Sequence, residues 1–112
     1  MGTANLKGHG VLYEGATKLG EGDYVVTGTL PELTGGVVRV VGHISTEDVD
    51  IRALRAAYMA NQPPTLSLHL ENNLQWDCMA AGEDGRLLNS DGFFRMVDGV
   101  RTKVPTLVAF GL

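Results

Sequence analysis

The chain lacks the features that mark secreted, disulfide-bonded or membrane-spanning proteins. One cysteine, Cys78, occurs among the 112 residues, which excludes an intrachain disulfide. No stretch approaches the roughly 18 consecutive apolar residues of a membrane span, so the sequence predicts no membrane segment. The N-terminal residues MGTANLKG contain no apolar stretch typical of a signal peptide. We therefore expect a cytoplasmic protein.

Motifs of catalysis and cofactor binding are also missing. No G-x-S-x-G, H-E-x-x-H, phosphate-binding loop or dinucleotide-binding pattern occurs. Cys78 is expected in the core rather than as a nucleophile, because reactive thiols need an exposed, electropositive setting. Asp48 and Asp50 lie where acids stabilise the start of a helix. The sequence thus indicates no catalytic residue and no cofactor, and a non-catalytic protein is favoured over an enzyme.

The charge balance is mildly acidic. Nine Lys and Arg residues oppose 13 Asp and Glu residues, giving a net charge of −4. This balance opposes the long-range attraction that brings proteins to nucleic acid, so nucleic acid is a disfavoured partner. The two basic clusters in the sequence, Arg52 with Arg55 and Arg95 with Arg101 and Lys103, are interpreted as solvated surface groups.

Glycine and alternating apolar residues are what the sequence does contain. Fifteen glycines, about twice the usual share and without a collagen period, favour the turns and bulges of an all-β fold. Alternation predicts a first strand over 6–14, a second over 24–30 and a third over 37–45, with a turn region over 15–23. Shorter strands are predicted near 86–89, 93–97 and 100–104, the last two as a hairpin around Asp98-Gly99.

One helix is predicted at about residues 46–60. Ser45 is the expected N-cap, and the prolines at positions 63 and 64 follow its end. Spacing at 100° per residue predicts that Ile51, Leu54 and Tyr58 enter the core, with an alanine stripe on the opposite side.

The segment TLSLHLENNLQW, residues 65–76, predicts a hairpin with an odd loop. A three-residue loop over 71–73 pairs Leu68 with Trp76 and Leu66 with Cys78, placing all four on one face. This register needs a residue near the left-handed region at Asn73, which asparagine tolerates. Trp76 and Cys78 are therefore predicted to be core residues.

The predicted order is β-β-β-α-β-β plus short C-terminal strands, in one mainly β domain over residues 1–112. This order predicts a small antiparallel barrel. With its helix between the third and fourth strands and a first strand containing Gly8 and Gly10, the segment 6–81 resembles an oligonucleotide/oligosaccharide-binding (OB) barrel. The resemblance implies neighbouring first and fourth strands, and a binding face for single-stranded nucleic acid or sugar on the second and third strands. In those strands the sequence supplies one aromatic residue, Tyr24, and one basic residue, Arg39.

Three histidines, His9, His43 and His69, lie at polar-facing positions of predicted strands. A metal site would require them to converge, although no two have a short chelating spacing. Their favoured interpretation is as ordinary surface residues, with no metal bound.

The leading functional hypothesis is an interaction module that binds another protein or a second copy of itself. It depends on apolar residues on both faces of 37–41 and on the apolar C-terminal segment, which needs burial within the chain or against a partner. The alternatives are a small-ligand carrier that uses the barrel interior, or an OB-like binder of single-stranded nucleic acid or oligosaccharide. The candidate interaction surface comprises Val37, Arg39, Val41, His43, Leu107, Phe110 and Leu112.

Overall fold

Strands form most of the computed structural model of the chain, which describes residues 2–30, 39–89 and 92–111. The first half contains β1 (Gly2–Glu14), β2 (Thr17–Leu30), β3 (Arg39–Ile44), β4 (Asp48–Val49) and α1 (Ile51–Met59). The second half contains β5 (Leu66–His69), β6 (Leu74–Ala80), β7 (Arg86–Leu88), β8 (Phe93–Val97), β9 (Val100–Lys103) and α2 (Thr106–Ala109).

Six of the strands close into an antiparallel barrel, which confirms the predicted fold class. The order around the barrel is β1-β2-β3-β7-β6-β5, and β5 pairs with β1 to complete the circle. Strand β4 pairs with β2 outside this path, and the β8–β9 hairpin extends from β6. The predicted last hairpin is confirmed, since Val97 pairs with Val100 around Asp98-Gly99.

The predicted turn region over 15–23 is wrong. Strand β2 already begins at Thr17, and Gly15 and Ala16 alone connect it to β1. The glycines that resembled turn residues instead permit close packing, because a Cβ at Gly20 would lie 2.1 Å from the Asp48 carbonyl oxygen. A Cβ at Gly22 would likewise lie 2.6 Å from the Ser45 carbonyl oxygen. The chain before α1 therefore approaches β2 closely at two glycines on either side of Glu21.

Helix α1 is present but shorter than predicted. It begins at Ile51, and Asp50 caps it by accepting hydrogen bonds from the backbone N–H groups of Arg52 (3.1 Å) and Ala53 (3.2 Å). The preceding residues cannot join the helix because Val49 pairs with β2. Leu54 is buried as predicted, but Ala57 is the other buried helix residue, and Ile51 and Tyr58 are exposed. The face that packs on the barrel thus combines Leu54 with Ala53 and Ala57.

The odd-loop hairpin is confirmed in register. Leu66 lies opposite Cys78 and Leu68 opposite Trp76, and all four side chains are buried. Both loop asparagines are left-handed, with φ of 62° at Asn72 and at Asn73, where one such residue was predicted. Asparagine accepts this conformation more readily than most residues.

Aromatic rings connect the barrel interior to the C-terminal segment. Trp76 stacks with Phe93 at a centroid distance of 6.1 Å, and Phe110 meets Phe93 edge-on at 5.5 Å. A Cβ at Gly28 would lie 2.8 Å from the Phe110 ring, so this glycine makes room for it. The C-terminal segment therefore packs against its own chain through Ala109 and Phe110.

Candidate binding surface on the outer face of the barrel

Outward side chains of β1, β2, β3, β7 and β6 form ordered rows across the barrel. A central row follows from the strand register, with each residue directly opposite the next. It contains Asn5, Thr27, Val41, Leu88 and Met79. A second row lies on one side of the central row and contains Lys7, Val25, His43, Arg86 and Ala81. The other side has Thr3, Thr29 and Arg39. We call these three rows together the outer face.

The centre of the outer face is an apolar depression. A concavity of about 480 Å³ is lined by apolar and polar groups from three strands, β2, β3 and β7, and by Ala81 after β6. Val25, Val41, Leu88 and Met79 leave 40 to 43% of their surface exposed to solvent. Neighbouring exposed aliphatic side chains on four strands form a patch of the kind that monomeric proteins usually keep small.

Local sequence explains the depression. Val40 and Ile44 point inward and are buried, so alternation directs Val41 and His43 outward. Between them, Gly42 lines the concavity, and a Cβ there would lie 2.6 Å from the Trp76 ring. The missing side chain lets β3 lie directly over the buried indole.

A turn residue, Asp84, holds two basic groups at one end of the outer face. The Nε2–H of His43 donates to the Asp84 carbonyl oxygen at 2.9 Å. Arg86 donates through Nε to the Asp84 carboxylate at 3.1 Å, and this bond holds the pKa of that carboxyl below its usual value. At the end of the central row that begins with Asn5, the Thr27 hydroxyl donates to the Asn5 side-chain oxygen at 2.7 Å. The polar groups beside the depression are therefore oriented by bonds to their neighbours.

The outer face has an unusual charge for this chain. Its ionisable residues are Lys7, Arg39, Arg86 and His43, and none of its residues is acidic. In the whole chain, by contrast, acids outnumber Lys and Arg by 13 to 9. The sequence alone did not show this segregation, because the basic residues come from three separate strands, β1, β3 and β7.

The basic cluster late in the sequence is organised differently. Arg101 stacks over the Phe94 ring at 3.8 Å and donates hydrogen bonds to Asp77 and to the Gln75 side-chain oxygen. The hydrogen bonds join Arg101 of β9 to Gln75 and Asp77 of β6, and they stabilise the packing of the β8–β9 hairpin on β6. The guanidinium of Arg101 thus serves the fold.

The predicted interaction surface is divided by the structure. Arg39, Val41 and His43 lie on the outer face. Leu107 is exposed on α2, whereas Phe110 is partly buried and packs against Phe93. Val37 and Leu112 lie outside the described residues. The reasoning from sequence missed Val25, Leu88, Met79, Arg86 and Lys7.

The three histidines contact different partners. His9 lies 3.2 Å from the Asp23 carboxylate and 3.5 Å from that of Glu21, and hydrogen bonds to these carboxylates raise its pKa. The His69 ring contacts the Tyr13 ring in a tilted arrangement with centroids 4.5 Å apart, and burial lowers the pKa of His69, with a smaller contribution from the charge of Arg101. Within residues 2–30, 39–89 and 92–111, no group of three or more His, Cys, Asp or Glu side chains is arranged to hold a metal ion.

The lone cysteine is remote from solvent. Cys78 is 1% exposed, and burial raises the pKa of its thiol. The nucleophilic form of a thiol is the thiolate, which this environment disfavours. A structural role accounts for Cys78.

Comparisons with known proteins give no functional information, so a function can be inferred only from the surface described above. None of the helices in the described part of the chain is long and apolar enough to span a bilayer. No family model, curated protein or solved structure matches the chain.

Proposed function

We propose that the protein is a non-catalytic binding module that docks a segment of another protein on the outer face of the barrel. The observation that carries this proposal is the apolar depression around Val41 and Leu88, placed at the centre of an acid-free face. Exposed aliphatic groups in contact with one another lose unfavourable hydration when a partner covers them. Basic and hydrogen-bonding groups beside them supply the polar rim that protein interfaces require.

The alternative of a small-ligand carrier is less well supported. The barrel interior is occupied by buried side chains that include Leu12, Val26, Leu68, Trp76 and Leu87. The concavity of about 480 Å³ opens on the outside of the sheet instead. A protein segment is a better fit to an open depression than a small molecule, which usually buries most of its surface.

An OB-like nucleic-acid binder is the second candidate. It is supported by the pairing of β1 with β5, the strand after the helix, and by the basic groups Arg39 and His43 on the outer side of β3. However, Tyr24 is buried, and its hydroxyl accepts a hydrogen bond from the Glu71 backbone N–H at 3.0 Å. The outer face therefore supplies no aromatic ring besides the imidazole of His43, and single-strand binding relies on aromatic stacking.

Selection of peptides from a displayed random library tests the proposal. We expect the wild-type protein to enrich peptides whose binding is abolished by Leu88→Asp, because a carboxylate in the depression opposes apolar contact. The matched control is Val100→Asp, which places the same charge at an exposed apolar residue of the β8–β9 hairpin. Peptides that bind both variants as well as wild type, or that are lost only with Val100→Asp, contradict the proposal.

Sedimentation distinguishes the two kinds of protein partner. A wild-type dimer that Leu88→Asp converts to monomer would make the partner a second copy of the chain. A wild-type protein that stays monomeric across the concentration range would mean that the partner of the outer face is a different protein. We also infer a cytoplasmic setting, in which the buried Cys78 stays a thiol.

A further inference from the structure

We infer that the segment recognised by the outer face is an acidic amphipathic helix, with an aliphatic stripe that enters the depression and carboxylates on its flanks. This inference rests on the proposed function and adds the chemistry of the partner. Its basis is the arrangement of charge around the central row. Arg39 lies on one side of that row, and Lys7, His43 and Arg86 lie on the other.

The charges are complementary to acids on both flanks of a partner. The three rows contain no acidic residue, and the acids nearest to them, Asp23 and Asp84, lie beyond the row that contains Lys7. A carboxylate placed over the rows themselves therefore meets basic or neutral groups. Arg86 donates through Nε to the Asp84 carboxylate, which offsets part of its charge, so the attraction for a partner's carboxylates depends mainly on Lys7 and Arg39. A basic segment would meet like charges on both flanks, which gives the face selectivity as well as attraction.

The dimensions of the rows match a helix. Neighbouring strands lie about 4.8 Å apart, so the three strand spacings from Thr27 to Met79 cover roughly 14 Å. A helix of about ten residues has that length, at a rise of 1.5 Å per residue. Rows on the same face are separated by roughly 7 Å, and a helix with side chains is about 10–12 Å wide. The three strand spacings curve with the barrel wall, so a straight helix contacts the middle of the central row at Val41 and Leu88. Its flanks then lie toward Arg39 on one side and toward His43 and Arg86 on the other.

The aliphatic character of the central row favours protein over nucleic acid. Val41, Leu88 and Met79 offer no planar ring on which a base could stack. They are side chains that interdigitate with the leucines and methionines of an amphipathic helix. A single-stranded oligonucleotide would satisfy only the basic groups.

Two matched peptides test the inference. Both are designed 14-residue helices with the same leucine stripe, and their flanks carry Glu in one peptide and Gln in the other. Fluorescence anisotropy at low salt should show at least tenfold tighter binding of the Glu peptide, and the difference should shrink at 150 mM salt as screening increases. Arg39→Glu and Lys7→Glu should each weaken Glu-peptide binding by about three- to tenfold. Arg52→Glu, the same charge change on α1, should leave it unchanged.

The outcomes separate failure of this inference from failure of the proposed function. Equal binding of the two peptides, abolished in both cases by Leu88→Asp, would overturn the acidic specificity while leaving the docking surface in place. Binding that is insensitive to Leu88→Asp would overturn the docking surface itself. Stronger binding of a thymidine oligonucleotide than of the Glu peptide, lost with Arg39→Glu, would overturn the inference in favour of nucleic acid. Circular dichroism of each variant verifies that the barrel is folded.

Discussion

Two adjacent leucines of β7 give a sharp test of the register that creates the outer face. Leu87 is 1% exposed and points into the barrel, whereas Leu88 is 42% exposed and points into the depression. At about 0.8 kcal/mol per buried CH₂, Leu87→Ala loses about 2.4 kcal/mol of transfer free energy, and the cavity it leaves raises the cost to about 3–4 kcal/mol. Leu88→Ala leaves no enclosed cavity, and the expected cost is about 1 kcal/mol or less.

Thermal unfolding followed by circular dichroism measures this difference. For a chain of this size about 1 kcal/mol corresponds to roughly 4 °C, so Leu87→Ala should lower the melting temperature by about 12–16 °C. Leu88→Ala should lower it by about 4 °C or less, and it should weaken peptide binding instead. Equal destabilisation by the two substitutions would refute the register, because a slip of one residue moves every side chain of β7 to the other face.

Three other measurements examine separate parts of the structure. Cys78 should resist alkylation in the native protein and react fully in denaturant, since burial raises the pKa of its thiol; rapid native labelling would contradict its placement. In urea unfolding, Asp50→Ala should lower the free energy of unfolding by about 1 kcal/mol through loss of the α1 N-cap. Asp50→Asn should keep most of that stability, because asparagine also caps helices; equal losses would argue against the cap. In an NMR titration the pKa of His9 should lie above 6.5. The stability that protonated His9 contributes should be fully present below pH 6.5 and should be lost as the pH rises through the pKa of His9 in the folded protein. The pKa of His69 should lie below 6.5 and rise in Arg101→Gln; the reverse order of the two histidines would contradict the assigned contacts.

Local patterns predicted the elements whose neighbours are close in sequence. The hairpin over 65–76 is an example, because alternation of its leucines and the position of Trp76 allow only one register that buries both strands. The Asp98-Gly99 hairpin follows from its turn chemistry in the same way. In each case a short loop makes the pairing partner certain.

Patterns misled where a distant segment decides the local structure. Gly20 and Gly22 were interpreted as turn residues, yet they belong to β2 and admit the chain before α1. The start of α1 was placed too early because Ser45 and Asp48 resemble a cap, while pairing of Val49 with Gly20 holds that segment extended. These contacts join residues 23 to 29 positions apart, so no local window reveals them.

The candidate surface was only partly accessible to sequence reasoning. Alternation in β3 correctly assigns Val41 and His43 to a common face, and both lie on the outer face. Their neighbours Val25 and Leu88 come from β2 and β7, and only the closed strand order makes them adjacent. The segregation of basic residues is likewise a property of the assembled sheet.

A heteronuclear NMR titration of the wild-type protein with the Glu peptide tests the central claim most directly. We expect the largest amide shifts around Thr27, Val41, Leu88 and Met79, and we expect Leu88→Asp to abolish them. Shifts concentrated on α1 or on the β8–β9 hairpin, or shifts that persist in Leu88→Asp, would contradict the assignment of the outer face as the binding surface.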